Sequence, residues 1–266
     1  MECNKMPAPL LHVDGLCVSA NSHNLLNELS ISLAVGEILA VVGPNGAGKT
    51  TLLKAIVGDL KASSGEVKIF GKNINDWPVR ERAQRLAILP QFSLLNFPYT
   101  VEEVVALGRI PHTSGVRADK HIVQSAMELV DIKYLSDRLY TQLSGGEKQR
   151  TQLARVMAQV WPGEVDDRTK ILLLDEPTAS LDLGHRQLLM EAVRNFASRS
   201  VAVVMVVHDI NLANRYADYL IALACGRVLT QGPVDEVISV ELIKKLFGAE
   251  VDVVAHLHNG KNYILS

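Results

Sequence analysis

Two runs in this 266-residue chain have residue types that can hold phosphate: GPNGAGKT from Gly43 to Thr50 and LSGGEKQR from Leu143 to Arg150. The first fits G-x-x-x-x-G-K-[ST], in which small residues let backbone N–H groups curl around phosphate oxygens. Gly43, Pro44, Asn45, Gly46, Ala47 and Gly48 would form the cradle and Thr51 would enter the following helix. Lys49 would bridge β- and γ-phosphates as a mobile point charge, and Thr50 would offer its hydroxyl to Mg²⁺. The ligand implied is ATP with Mg²⁺. In the second run, Ser144, Gly145 and Gly146 stand at a predicted helix start, another anion-binding arrangement. With the first anion site already complete and no lysine in this second run directly following a glycine as Lys49 does in the first, this tip points to a nucleotide held by another copy of the chain.

Acidic chemistry comes from ILLLDEP, Ile171 to Pro177. Four apolar residues followed by adjacent carboxylates describe a buried parallel strand presenting acids at its C-terminal end, where ligands bind in open α/β sheets. Asp175 is placed to hold the Mg²⁺ shell, and Glu176 to orient or deprotonate the attacking water. A buried acid pair needs a counter-charge, which a metal and a triphosphate supply. His208 closes a second apolar strand, Val201 to Val207, and could reach the γ-phosphate from the same sheet edge. Gln91, at the hand-over to a helical stretch, could couple bound phosphate to movement of that stretch.

The elements that must position these groups follow from periodicity. Ile38 to Val42 reads as the strand entering the phosphate loop and Thr51 to Leu60 as the helix leaving it, which sets the phosphates at a positive helix end. Alternation from Leu10 to Leu33 suggests antiparallel strands beside that core. Ser63 to Ile74 reads as turn, strand and turn, and Leu86 to Leu89 as a short strand. A capping box at Thr100 and Glu103 opens a helix with Val101, Val104, Val105 and Gly108 on one side, and His121 to Val130 is the next amphipathic run. Helices over Glu147 to Val160 and Gly184 to Ser198 flank the acidic strand; a hairpin from Tyr219, a helix over Val240 to Phe247 and a strand pair near 251–257 and 263–265 complete the pattern. The fold class is α/β: a P-loop (RecA-like) core with an antiparallel subdomain over 1–91 and 156–266, interrupted by a helical subdomain over 92–155.

Composition bounds the partners. Net charge −2 gives no reason for nucleic-acid binding, and the longest apolar stretches fall far short of the roughly 20 residues a membrane helix needs. The N-terminal run does not read as a secretory signal. Cys3, Cys17 and Cys225 lack ligand spacing and read as reduced thiols, while His256 and His258, two apart in a strand, read as incidental surface rings.

GPNGAGKT, Gln91, LSGGEKQR, ILLLDEP, Ser180 to Asp182 and His208 stand in the order seen in ATP-binding-cassette ATPases, and the chain resembles that family over nearly its whole length. The resemblance implies a head-to-tail homodimer enclosing two ATP, in which Ser144, Gly145 and Gly146 of one subunit contact the γ-phosphate held by Lys49 of the other. It also implies that Asp182 helps join the two sites and that Gln91 belongs to the Mg²⁺ shell. Two departures stand out: Ala20 occupies the position where the family usually stacks an aromatic on adenine, with His23 the nearest ring, and Glu147 stands where many members have Gln. FPYTVEEVVALGRIPH, Phe97 to His112, is similar to ATPases of iron-siderophore, cobalamin and hemin importers, with the 161–170 loop and His185 to Ala197 nearest the hemin branch. Such a subunit would lie peripherally on the cytoplasmic face of a bacterial inner membrane, with two transmembrane permeases and, indirectly, a periplasmic binding protein. A soluble cassette ATPase of DNA repair or translation is the alternative; it would carry paired cassettes or coiled-coil insertions. A P-loop small-molecule kinase would leave LSGGEKQR unexplained.

Overall fold

Alternating side chains build the first sheet. A computed structural model of the protein describes residues 9–20, 23–91, 95–163, 169–179, 181–255 and 262–265. Cys3, Ser180, His256, His258 and residues 164–168 of the acidic loop lie outside that range. β1 (Leu11–Ala20) and β2 (His23–Leu33) pair antiparallel, Leu11 opposite Leu33 and Val13 opposite Ile31. Leu29, Ile31 and Leu33 are buried while Ser30 and Ser32 face out, the period of two expected of a half-buried strand. After β3 (Ile38–Val42), buried throughout, come α1 (Lys49–Ile56), β4 (Ser64–Ile69) and β5 (Lys72–Asn73). The antiparallel sheet runs β2-β1-β4-β5. α1 stops four residues short of the expected Leu60, because Val57 and Gly58 turn the chain, with the Gly58 N–H donating to the Ala55 carbonyl.

Two compact units divide the chain: 1–77 with 204–266, and 78–203. The expected helical stretch 92–155 lies wholly in the second, which begins with α2 (Val79–Ala83) and β6 (Leu86–Leu89). α3 (Val101–Ala106) starts on the expected capping box, with the Thr100 N–H donating to the Glu103 carboxylate at 2.7 Å and the Glu103 N–H donating to the Thr100 hydroxyl at 3.2 Å. α4 (Val116–Leu129) begins a turn earlier than periodicity indicates, and buries Ile122, Val123, Ala126 and Met127. α5 (Gly145–Gln159) packs against α3 and α4, and the turn after α3 approaches it so closely that a methyl on Gly108 would meet the Arg155 carbonyl oxygen at 2.2 Å. β7 (Lys170–Asp175) is buried throughout and parallel to β6, pairing Leu89 with Leu174. α6 (Leu183–Ala197) leads to β8 (Val201–Val206). Full burial of such Leu and Val side chains contributes about 1.5–3 kcal/mol each, which is how these apolar strands are held without alternation.

β8 returns the chain to the first unit, where the Val207 N–H donates to the Val41 carbonyl of β3. α7 (Ile210–Tyr216) follows, a helix the apolar pattern does not announce; the Asp209 carboxylate caps it by accepting from the N–H groups of Asn211 and Leu212. β9 (Tyr219–Ala224) pairs parallel to β3 and antiparallel to β10 (Arg227–Pro233). α8 (Val234–Val237), α9 (Val240–Phe247), β11 (Asp252–Ala255) and β12 (Asn262–Leu265) end the chain, and the Asn211 side chain clamps Ile264 by two 2.9 Å bonds. Among the described residues no helix is long and apolar enough to cross a membrane.

Candidate functional site

In the first unit the phosphate loop is shaped by what its glycines exclude. At Gly43 a Cβ would lie 2.2 Å from the Leu223 carbonyl oxygen of β9, so the loop begins pressed against a neighbouring strand. Gly48 holds φ +103°, and its Cβ would stand 2.8 Å from Leu26 Cδ2 and 3.0 Å from the Leu25 carbonyl oxygen. Only glycine fits both places, and Pro44, Asn45 and Gly46 arch between them with Ala47 buried beneath. No side chain caps α1 and no acid stands in its own first turn, and the positive end of the helix faces the loop. Lys49 is only 6% exposed, and its Nζ donates to the carbonyl oxygens of Gly43 at 2.8 Å and Pro44 at 2.9 Å. A cation parked on the cradle's own carbonyls is what a phosphate would draw off. Thr50 is exposed at the helix start, beside Thr51.

His208 is exposed and directly follows Val207, whose N–H is bonded to β3. It therefore sits at the same C-terminal edge of the first unit's parallel strands as Gly43. Ala20 and His23, both exposed, oppose each other at the end of the β1–β2 pair.

In the second unit β7 delivers the two carboxylates into different environments. Asp175 is 2% exposed, whereas Glu176 is half-buried; the expected buried pair is thus one buried acid and one reachable one. Glu176 takes φ +51°, a left-handed conformation costing on the order of 1–3 kcal/mol for a non-glycine residue and typical of sites where geometry serves function. Gln91 Nε2 donates to Glu176 Oε2 at 2.8 Å. The parallel register explains it: Leu89 pairs with Leu174, and each strand runs two residues further to reach Gln91 and Glu176. An amide bonded to one carboxylate oxygen fixes the group's plane and leaves lone pairs for a water proton.

Ser144 is the N-cap of α5 in a full capping box: its N–H donates to the Glu147 carboxylate at 2.8 Å, and the Glu147 N–H donates to its Oγ at 3.3 Å. The backbone and hydroxyl of Ser144 hold the Glu147 carboxyl below the usual range, with Arg138 and Arg150 adding to the effect. Ser144 and Gly145 are exposed, and a Cβ on Gly145 would meet nothing within 4 Å. Asp182 caps α6, accepting from the His185 N–H at 2.9 Å and bonding His185 Nδ1 at 2.8 Å; these bonds lower its carboxyl pKa.

The donor chemistry fits ATP and Mg²⁺. A hydroxyl, carboxylates and an amide oxygen are hard ligands, and a magnesium ion that draws most of its shell from phosphate and water needs few of them. Among the described residues no group of three His, Cys, Asp or Glu converges.

Three features of the second unit escape sequence reading. Gln149 Nε2 donates to the Pro177 carbonyl. Arg109 is buried, its Nη1 donating to the Ala158 carbonyl at the end of α5 and its Nε to Asp119. His112 Nε2 donates to the Gln159 carbonyl at 2.7 Å; burial, opposed by that bond, lowers its pKa, and the Arg109 and Lys170 charges lower it further. Basic residues shortly before a helix could have suggested the C-cap role only if the partner helix were known.

Comparison with known proteins identifies the family. A family profile described as ABC transporter matches residues 26–179. The hemin import ATP-binding protein HmuV of Pseudomonas entomophila is 45% identical, covering 97% of this chain and all of the relative. That of Gloeobacter violaceus is 47% identical over 93% of this chain and 90% of its own. Among solved structures, an inward-facing ABC transporter described as of metal-chelate type superposes with TM-score 0.81 at 25% identity, covering 97% of each chain. An ATP-binding cassette in its ADP conformation gives 0.79 at 21% identity over 92% of this chain and all of the other.

Proposed function

Since this chain belongs to the ABC transporter family and is the ATPase subunit of an importer, we propose that it powers uptake of hemin or a related iron chelate across a bacterial inner membrane. Support for the cargo comes from relatives that share 41–47% of their residues with it and carry the hemin-import name. The substrate need never touch this subunit, so cargo identity rests on likeness, whereas the chemistry rests on residues. It works as a homodimer at the cytoplasmic face, peripheral to two permease subunits that receive cargo from a periplasmic binding protein.

The observation that carries the hydrolytic reading is the Gln91–Glu176 bond, which presents a half-buried carboxylate at the end of a buried acidic strand. Lys49 leaves the Gly43 and Pro44 carbonyls to take the β- and γ-phosphates, and the N–H groups from Asn45 to Thr51 line the cradle. Glu176 accepts a proton from water as the water oxygen attacks the γ-phosphorus. The bond to the bridging oxygen breaks, and ADP and phosphate leave. His208 and Gln91 orient the γ-phosphate and the water, and Asp182 links the two sites of the dimer. Mg²⁺, when bound with ATP, neutralises phosphate charge, with Thr50, Asp175 and Gln91 as the residues to hold it. Ser144, Gly145 and Gly146 donate to the γ-phosphate bound by the partner copy.

Reconstitution with the permease subunits tests the cargo. Hemin-loaded binding protein is expected to stimulate ATP hydrolysis more than siderophore or cobalamin; stimulation by cobalamin alone would contradict the assignment.

A further inference from the structure

Gln149 stands in α5 two residues beyond the capping box that displays Ser144. Its Nε2 donates to the carbonyl oxygen of Pro177 at 3.1 Å. Pro177 is buried and directly follows Glu176, so this bond holds the peptide on the far side of the carboxylate that Gln91 holds by its side chain. The turn needs such holding, because Glu176 sits at φ +51°, a conformation that persists only where the surroundings enforce it. The same turn also rests on the serine-glycine tip: a Cβ on Gly146 would lie 3.1 Å from Leu181 Cδ2. Within the turn, the Ala179 N–H donates to the Glu176 carbonyl and the Leu181 N–H to that of Thr178.

We infer that Gln149 is a positioning residue that makes the Ser144 tip and the Glu176 turn of one subunit a single body. Engagement of Ser144 on the partner's nucleotide then sets the carboxylate that works on the subunit's own nucleotide, and the two hydrolysis events become coupled. This rests on the roles proposed above for Ser144 and Glu176. A bond that only satisfied a buried carbonyl would affect stability and leave the coupling untouched.

The test is steady-state ATP hydrolysis by the full-length chain with two substitutions. Gln149→Met keeps the length and removes the donor; Gln149→Glu keeps the shape and sets an acceptor against the Pro177 oxygen. Gln149→Met should lower kcat about three- to tenfold, the equivalent of one net hydrogen bond, with KM for ATP unchanged. Gln149→Glu should lower kcat further, and both should bring the Hill coefficient for ATP from above one towards one. Gln149→Glu at wild-type kcat overturns the inference, since shape alone would then suffice. A loss of kcat with the wild-type Hill coefficient also overturns it, and Gln149→Met carries the test if the glutamate variant does not fold. Glu176→Gln in parallel separates the failures. Normal turnover there removes the base assignment itself, whereas an inactive Glu176→Gln beside wild-type Gln149 variants removes only the coupling role.

Discussion

Replacing Glu176 by glutamine removes a proton acceptor and little else. Gln91 Nε2 now donates to Glu176 Oε2 at 2.8 Å, and the amide oxygen of Glu176→Gln can accept the same bond. A charge-assisted bond worth about 1.5–3 kcal/mol becomes a neutral one worth about 0.5–1.5, so the fold should lose on the order of 1 kcal/mol. The left-handed backbone at this position is met equally by either side chain. The chemical step should lose the contribution of a positioned base, about 10²–10⁴-fold in rate, or roughly 2.7–5.4 kcal/mol of barrier. Phosphate release under saturating Mg-ATP reads the rate, and equilibrium binding of a fluorescent ATP analogue reads the cradle. The expected result is near-complete loss of turnover with nucleotide affinity within about threefold of wild type. Hydrolysis within about threefold of wild type would refute the assignment of Glu176, because a general base cannot be worth so little.

Two further outcomes follow from the same geometry. Gly43→Ala puts a methyl 2.2 Å from the Leu223 carbonyl oxygen, so ATP binding should fall at least tenfold and stability by about 1–3 kcal/mol, read by nucleotide titration and thermal melting. His112 is favoured neutral in the folded chain, so below its ordinary value of 6.5 the unfolded chain binds the extra proton. Its contribution is therefore complete above that pH and is lost as pH falls towards the lowered folded value; Tm of the wild type should drop between pH 7.5 and 5.5 more than that of His112→Gln, which keeps a donor for the Gln159 carbonyl.

Local signals were legible in the sequence where one segment decides its own conformation. The Thr100–Glu103 capping box, the run Leu86–Leu89 and the helix over Val240–Phe247 appear at the residues read from the sequence, because caps and apolar periodicity act within a few residues. The strand Ile38–Val42 ahead of the glycine-rich loop and the acidic strand ending at Asp175 were legible for a similar reason, since each is a short apolar run that decides its own conformation. α7 was missed because its start is set by the Asp209 side chain rather than by an apolar stripe, and its Asn211 is engaged with distant Ile264. The Gln91–Glu176 contact depends on parallel register between strands 85 residues apart in sequence, and periodicity is blind to register. The grips of Gln149 on Pro177 and of Arg109 and His112 on the end of α5 are likewise long-range bonds made by ordinary polar residues.

Complementation between two inactive variants tests the shared nucleotide pocket most directly. Lys49→Ala lacks the phosphate lysine but keeps Ser144, whereas Ser144→Arg spoils the exposed tip but keeps Lys49. Each alone should hydrolyse ATP at background rate, and a mixture should regain activity well above background yet below the wild-type level, because a mixed dimer joins an intact Lys49 from one chain to an intact Ser144 from the other while the chain holding that nucleotide has a spoiled tip of its own. A mixture as inactive as its components, or a Ser144→Arg protein that turns over at the wild-type rate alone, would contradict a pocket completed by a second copy.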